Sequence, residues 1–590
     1  MTIRLRALVG IYENGGAKLR NTNRWARLLF FTSLVMVTAP AGAVAEQVRL
    51  IVQITVDGLR GDLLNRYHKS FGPDGFRRLT EGGLWYTDAH HLHANTETIV
   101  GHATLATGAH PSEHGMIGNA WFNRLEGRLG YNIEDPDNPM LPMPGFGGEG
   151  DQVDPTQAAA KSSGRSPVNL LASTFGDELS KSNNGRSKVF SVSAKDRSAV
   201  AMGGHRGKSF WMSTATGAME TSRFYYDAYP DWAIEWNAAR PADVMVGETW
   251  FPECLEAPYL FDNADRPYAT DLRGFGKSFP HHYGDPEDGM YYTQVLVSPT
   301  GDRLVADFAK TIVTAEQLGA DDWTDYLSVS FSGVDATNHF FGPSSIENEE
   351  LVRCLDQTLS TFFTFLDETV GADHVLYVLS ADHGMPEMPE ELNEAGFEAY
   401  RNSTEVLTAN LNPVLFEEFG VKDAIQYFFR PYVYLNHEAI AEVGADKREI
   451  ERRVAESLMA EKGIAMAMPA VPLPEQEGDF LQAPIRRNYH PQRSGDIYVV
   501  QTPYSFLFEQ GAIAVMHGSP WRYDTHVPIL FSGPGIAPAR IARRVGTIDV
   551  AVTLSALFGT TIPSGASGEV LVETGGERAQ ENAAGVPGAR

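Results

Sequence analysis

The chain is poor in cysteine. Cys254 and Cys354 are the only two among 590 residues. That excludes a disulfide-dense scaffold and a thiolate-bound metal site. The sequence alone leaves open whether they pair or are separate buried thiols. Basic charge is also short: 48 Lys and Arg stand against 75 Asp and Glu, a formal charge of −27. A solvated acidic surface of this kind argues against non-specific nucleic-acid binding, which needs a basic footprint. Long apolar runs are missing too. Leu28 to Ala39 is apolar but too short to span a bilayer, and no later stretch is apolar enough to do so. No internal repeat is visible.

What the chain does contain is enough apolar sequence for a large core, with 43% hydrophobic and 21% charged residues. Arg20, Arg24 and Arg27 precede the Leu28 to Ala39 run, and Ala41 to Ala45 supplies an Ala-x-Ala site. This is the pattern of a secretory signal peptide over 1–45, and it predicts a mature chain from near Glu46 in the periplasm or outside the cell.

Arg49 to Val56 is a β-branched apolar run that stops at Asp57-Gly58. It reads as a buried strand of a parallel sheet with Asp57 at its carboxyl end, the edge off which ligands bind in open α/β sheets. The construction recurs. Lys188 to Val192 leads to Lys195, Asp196 and Arg197, Tyr326 to Phe331 leads to Asp335 and His339, and His374 to Leu379 leads to Asp382 and His383; the run to Phe531 begins with His526. Between them, Leu351, Leu355, Leu359, Phe362, Phe363 and Leu366 fit one helix face, with Ser344 or Ser345 as its cap. Strands alternating with helices predict an α/β fold with a central, largely parallel sheet flanked by helices.

Other regions read as insertions, at about 120–185, 205–300 and 400–500. Residues 139–165 are rich in Gly, Pro and Ser and predict a loop. The aromatics of 210–292 predict a small satellite core. The 400–501 region, with a strand at Tyr432 to Leu435 and a charged helix near Lys447 to Lys462, predicts a structural subdomain without chemistry. The main domain is expected over 46–573 and a disordered tail over 574–590.

The stretch from Ala94 to Gly108 is a polar turn entering a helix, with Thr98 in the first helical turn. There a hydroxyl stands beside free backbone N–H groups and the positive end of the helix dipole, a place suited to a phosphoryl group. Taken alone, Thr98 is an N-cap. Its setting changes that. Asp57, Asp335, His339, Asp382, His383 and His526 are oxygen and nitrogen donors at strand ends. Zn²⁺ takes about four such ligands, so these donors with substrate oxygens suit two adjacent zinc ions. Coordination would move the Thr98 hydroxyl toward alkoxide. Lys195 and Arg197 supply charge for phosphoryl oxygens and Asn119 an amide donor, while Asp196 is expected to face away and support the loop.

These motifs identify a resemblance. Val56-Asp57-Gly58, Thr96 to His102, Gly115 to Asn119, Ser193 to Arg197, Ser332 to Pro343, Ala381 to Gly384, His517 to Pro520 and Tyr523 to His526 resemble the alkaline phosphatase superfamily. The closest likeness is to the phosphate-irrepressible bacterial alkaline phosphatases with a threonine nucleophile, relatives of the type I phosphodiesterases and nucleotide pyrophosphatases. The resemblance runs from Arg49 to Val570. It implies a secreted, monomeric, zinc-dependent enzyme that hydrolyses small-molecule phosphate monoesters through a phosphothreonine on Thr98, without nucleic-acid or membrane partners. It implies two Zn²⁺ per chain: one held by Asp335, His339 and His526, the other by Asp57, Asp382, His383 and Thr98. Asn119, Lys195 and Arg197 would bind substrate. Structural Ca²⁺ is compatible with the family but has no assignable ligands here.

Thr96 is the rival nucleophile, without the family's spacing to Asn119. His517 is the strongest candidate for a supporting role, leading a Gly-Ser-Pro turn before His526. His90, His91, His93, His102, His110 and His114 are expected to be hydrogen-bonding or surface residues, and His281 and His282 loop residues. The alternative function is a nucleotide pyrophosphatase or phosphodiesterase. Lys195 with Arg197 discriminates, because two cations suit the dianionic terminal phosphate of a monoester. A sulfatase is disfavoured because Ile99-Val100-Gly101, not the Pro-x-Arg context, follows Thr98. A non-catalytic scaffold is disfavoured because no ligand is lost.

Overall fold

The computed structural model describes residues 47–147, 156–254, 258–264, 266–470, 480–508 and 513–575. The expected signal peptide and most of the expected tail lie outside the described residues.

A nine-stranded sheet organises the chain. In chain order its strands are β1 (Leu50–Val56), β2 (Leu84–His90), β3 (Val189–Ser193), β4 (Lys208–Met212), β5 (Met219–Glu220), β6 (Asp325–Phe331), β7 (Val375–Ser380), β8 (His526–Ser532) and β9 (Ala539–Gly546). Their spatial order is β9-β2-β8-β7-β1-β6-β3-β4-β5. All but β8 and β5 run in one direction. Every residue of β1 is buried. Leu50, Val52, Ile54 and Val56 join one apolar cluster and Ile51 another. Two covered faces explain the unbroken apolar run.

Register decides where the chemistry falls. Val56 pairs with Phe331, Thr55 with Ser380, and Ser330 with Ser193. The carboxyl ends of β1, β6, β7 and β3 therefore lie abreast, and the segments bearing Asp57, Asp335, Asp382, Lys195 and Arg197 leave the sheet along one edge. The antiparallel β8 starts at that same edge, since its Ile529 pairs with Ser380.

Four helices matter to the site: α1 (Thr98–Thr107), α2 (Asp196–Gly203), α3 (Gly333–Phe341) and α4 (Ile346–Leu366). Ser345 caps α4 by accepting the Asn348 N–H, and the expected Leu and Phe face is buried. The 400–501 region forms a separate four-stranded sheet that includes Tyr432–Leu435. It has its own apolar cluster, and its charged helix is Lys447–Met459.

Two expectations change. The aromatics of 210–292 do not form a satellite core. Phe210, Tyr229, Trp250, Phe275 and Tyr291 belong to the same cluster as β1, because Phe210 lies on β4 itself and packs on Phe308 with ring centroids 5.1 Å apart. His281 is not a loop residue either. It is fully buried among Trp250, Phe275, Phe279 and Phe341. The pairing that the sequence left open is present: Cys254 and Cys354 form a disulfide across a separation of 100 residues. Among the described residues no helix is long and apolar enough to cross a membrane.

Candidate active site

Thr98 is the first residue of α1, and the preceding Glu97 is its N-cap. Thr98 is therefore not the cap, and Glu97 does not cap through its side chain either. The Glu97 carboxylate instead accepts the Asn119 backbone N–H at 2.6 Å and pairs with Arg430 at 3.1 Å. The Asn119 side-chain oxygen accepts the Ile99 N–H at 3.1 Å. Asn119 lines the cavity above the site, and its side-chain NH₂ remains as a donor. Arg197 Nη2 lies 3.5 Å from Thr98 Oγ1. Thr96, the rival nucleophile, donates its hydroxyl to Ser519 O at 3.0 Å. Gly101 lets α1 lie on the end of β7: a Cβ there would come 2.0 Å from Asp382 O.

Below Thr98 the three carboxylates converge. Lys195 Nζ is 2.7 Å from Asp57 Oδ2 and also contacts Asp335 Oδ2. His383 Nε2 lies 3.2 Å from Asp57, 3.5 Å from Asp382 and 3.9 Å from Asp335. His339 Nε2 is 3.2 Å and His517 Nε2 3.6 Å from the same Asp335 oxygen. Two sets of donors result, Asp57–Asp382–His383 and Asp335–His383–His517, each with its ligand atoms within 4.8 Å of one another.

Three histidines are oriented alike. His383 Nδ1 donates to Gly384 O (2.9 Å), His339 Nδ1 to Val515 O (2.9 Å) and His517 Nδ1 to Thr96 O (2.7 Å). With the proton on Nδ1, Nε2 presents its lone pair to the carboxylates, the arrangement by which protein backbones orient metal-binding imidazoles. Asp57 Oδ1, Asp335 Oδ1, Asp382 Oδ2 and His383 Nε2 are buried and receive no hydrogen bond. Buried anionic oxygens left in this state are costly unless a cation meets them. The donors therefore fit divalent metal.

The electrostatics agree. Burial, with Asp335 and Asp382 beside it, raises the Asp57 carboxyl. Burial would raise Asp382 and Asp335 too. His383 and His102 outweigh it at Asp382, and His339 and Lys195 at Asp335, holding both below the usual range. Burial would lower His383, yet Asp382 and Asp57 bring it up to about 10. The carboxylates around this point therefore favour positive charge there.

His526 does not join Asp335 and His339. It is the first residue of β8, pairs in register with His90, and donates from Nε2 to Thr87 O at 2.9 Å. Its ring stacks on His90, centroids 5.1 Å apart, and its neighbouring donors are Asp88 and His90. The β8–β2 ladder fixes it there. His517 takes the place expected for His526. The Asp524 carboxylate explains why, accepting the Gly518 N–H at 3.2 Å, the Ser519 N–H at 2.9 Å and the Ser519 hydroxyl at 2.5 Å. This turn aims His517 inward, and its signal was the His-Gly-Ser run followed by Asp five residues after Ser519.

Asp196 does face away, accepting Tyr131 Oη (2.6 Å), Gln157 Nε2 (2.9 Å) and Arg165 Nε (2.9 Å). Most histidines near Thr98 are buried rather than on the surface. His91 donates from Nε2 to Ala381 O and meets the Thr547 hydroxyl at Nδ1, and His102 donates from Nδ1 to Thr98 O and meets the Ser330 hydroxyl at Nε2. Arg430 was missed altogether, since nothing in its sequence context marks it, and Glu97, though inside the Thr96 to His102 motif, was given no role.

A model of the type I phosphodiesterase / nucleotide pyrophosphatase family matches residues 51–520. Alkaline phosphatase PhoV of Synechococcus elongatus is 32% identical over 89% of this chain and 92% of its own length. Alkaline phosphatase PafA of Elizabethkingia meningoseptica is 29% identical over 89% of this chain and 94% of its own. The crystal structure of wild-type PafA superposes with a TM-score of 0.77 at 27% identity, covering 90% of this chain and 99% of that one. With the sheet and the sites at its carboxyl edge, these likenesses place the chain in the type I phosphodiesterase / nucleotide pyrophosphatase family, among the alkaline phosphatases of the PhoV and PafA type.

Proposed function

We propose that the chain, a phosphoric monoester hydrolase by its place among these alkaline phosphatases, works as an exported, zinc-dependent phosphatase with Thr98 as nucleophile. The observation that carries this is the pair of cations, Lys195 and Arg197, which line the cavity, with Arg197 3.5 Å from Thr98 Oγ1 and Lys195 against the buried carboxylates.

Asp57, Asp382, His383 and the Thr98 hydroxyl would hold one Zn²⁺, and Asp335, His339 and His517 the other. Two bound zinc ions supply a lowered pKa for the threonine hydroxyl and charge neutralisation for the leaving oxygen. Thr98 Oγ1 attacks phosphorus in line and the ester's alcohol oxygen departs, giving a phosphothreonine that water then cleaves. Arg197 and Lys195 bind the non-bridging oxygens, and the Asn119 amide donates to a third. The Glu97–Arg430 pair holds Asn119 in place through its backbone N–H.

A diesterase reading has one specific support, the name of the matching family model. The two cations favour the monoester, whose terminal phosphate carries two charges. Turnover of p-nitrophenyl phosphate against bis-p-nitrophenyl phosphate, with and without chelator, tests the reading. Monoester preference that a chelator abolishes is expected; equal or faster diester turnover overturns it. Export is supported by the basic segment, apolar run and Ala-x-Ala site before residue 46, and by a disulfide that suits an oxidising compartment. N-terminal sequencing of the secreted protein should begin near Glu46.

A further inference from the structure

The cavity of about 390 Å³ that borders the site at Asn119, Lys195, Arg197, Asp335, His339 and His517 extends beyond Lys195 and Arg197 to a wall the phosphoryl chemistry does not use. That wall is built by the β4–β5 hairpin. Trp211 and Glu220 pair directly across it, so both side chains stand on the same face, and both line the cavity together with Ser213 and Thr214. A site on paired strands is held more rigidly than one on a loop.

Glu220 is half-buried, with Ser213 beside it favouring its charged form. The cation whose charge acts on it, Arg165, is bonded instead to Asp196 at 2.9 Å. The floor of the cavity is cationic and the wall presents a carboxylate beside an indole and two hydroxyls. The floor suits a phosphoryl group. The wall suits a short organic group with an apolar body and a donor at its end.

We propose that this wall is the subsite for the alcohol part of the ester, and that Glu220 selects phosphate monoesters whose alcohol carries an ammonium or hydroxyl group over those whose alcohol carries a second anion. The proposal rests on the phosphatase reading above. The charge it needs is present under alkaline conditions. Burial, with Asp196 nearby and against the pull of Ser213 and Arg165, raises the Glu220 carboxyl to about 7, so the group is anionic above that pH and the selectivity should grow as pH rises through it.

The test compares 2-aminoethyl phosphate with phosphoglycolate on the metal-loaded enzyme. The wild type should favour the aminoethyl ester in kcat/KM, and Glu220→Gln should shrink that ratio about tenfold, the value of one charge-assisted hydrogen bond. Glu220→Asp, which keeps the charge, should restore most of it. A ratio that Glu220→Gln leaves unchanged overturns the subsite. The uncleavable phosphonates 2-aminoethylphosphonate and phosphonoacetate, titrated by calorimetry at pH values about one unit either side of the Glu220 value, read the same selectivity from binding. A wild type that binds them selectively but hydrolyses no monoester would sink the phosphatase reading and leave the subsite standing. Turnover without selectivity would do the reverse.

Discussion

His517 and His526 are nine residues apart in the chain, and the structure gives them different work. Replacing His517 by Ala removes a donor whose Nε2 lies 3.6 Å from Asp335 and whose Nδ1 is bonded to Thr96 O at 2.7 Å. Asp335 and His339 remain, two protein donors where a catalytic zinc takes three. Partners outside the coordination shell are already worth about 10–100-fold in metal affinity. Loss of a ligand should therefore exceed about 100-fold, or about 2.8 kcal/mol. Replacing His526 by Ala removes a hydrogen bond to Thr87 O and a stacking contact with His90, while the β8 backbone ladder stays intact. That should cost about 1–2 kcal/mol of stability and no metal. The assay is zinc content after desalting, by plasma mass spectrometry, with phosphatase rate alongside. His517→Ala should retain about one zinc per chain and lose at least a hundredfold in rate, while His526→Ala should keep two. The opposite pattern, metal lost with His526 and kept without His517, would refute the assignment.

Thr98→Ala should abolish the acid-stable phosphoenzyme trapped with radiolabelled substrate, and near-normal turnover would move the nucleophile elsewhere. Lys195→Ala combined with Arg197→Ala should lower kcat/KM for a monoester far more than for a diester; equal losses would remove their proposed role in charge matching. Arg430→Ala strands Glu97, whose side chain no solvent reaches, and should cost about 3 kcal/mol of unfolding free energy with a rise in KM as Asn119 loosens, both measured against Arg430→Lys. Gly101→Ala should part α1 from β7, because the added carbon would lie 2.0 Å from Asp382 O, and its circular-dichroism melting point should fall steeply along with activity.

The sheet was legible because its strands are buried on both faces. β1, β3, β6, β7 and β8 each appear as a short apolar run, and a parallel sheet covered by helices requires that. What the runs do not carry is register. The step that sets Val56 beside Phe331 and Thr55 beside Ser380 is a property of the whole sheet, yet it makes one site of residues hundreds of positions apart. β2 and β9 were harder to see. Polar or charged positions interrupt both, at Thr87 and Asp88 in β2 and at Arg540, Arg543 and Arg544 in β9. The aromatics of 210–292 misled for a related reason. Composition says that they pack together, but the pleat divides them: Phe210 on β4 joins the β1 cluster, while Trp211 and Tyr225 join the one that holds the apolar face of α1.

Within the site, the ligands that leave a strand end directly were found, and His517, which arrives by a turn, was not placed as a ligand. Asp57 and Asp382 follow β1 and β7 within two residues, and Asp335 lies in the first turn of α3. Their sequence neighbourhood is their spatial one. His526 also stands at a strand end, and that made it a plausible ligand. But a residue inside a ladder has its side chain fixed by the pleat, and pairing with His90 turns this one toward Thr87. The segment before β8 has no such constraint. It crosses over α3, where the Ala514 N–H donates to His339 O at 2.7 Å. Asp524 then folds it so that His517 stacks on His383, ring centroids 3.5 Å apart. The decisive signal was thus a positive-φ glycine, Gly518 at +114°, between a histidine and a serine whose partner is a later aspartate. Such a turn fixes direction, and direction is what separates a ligand from a neighbour.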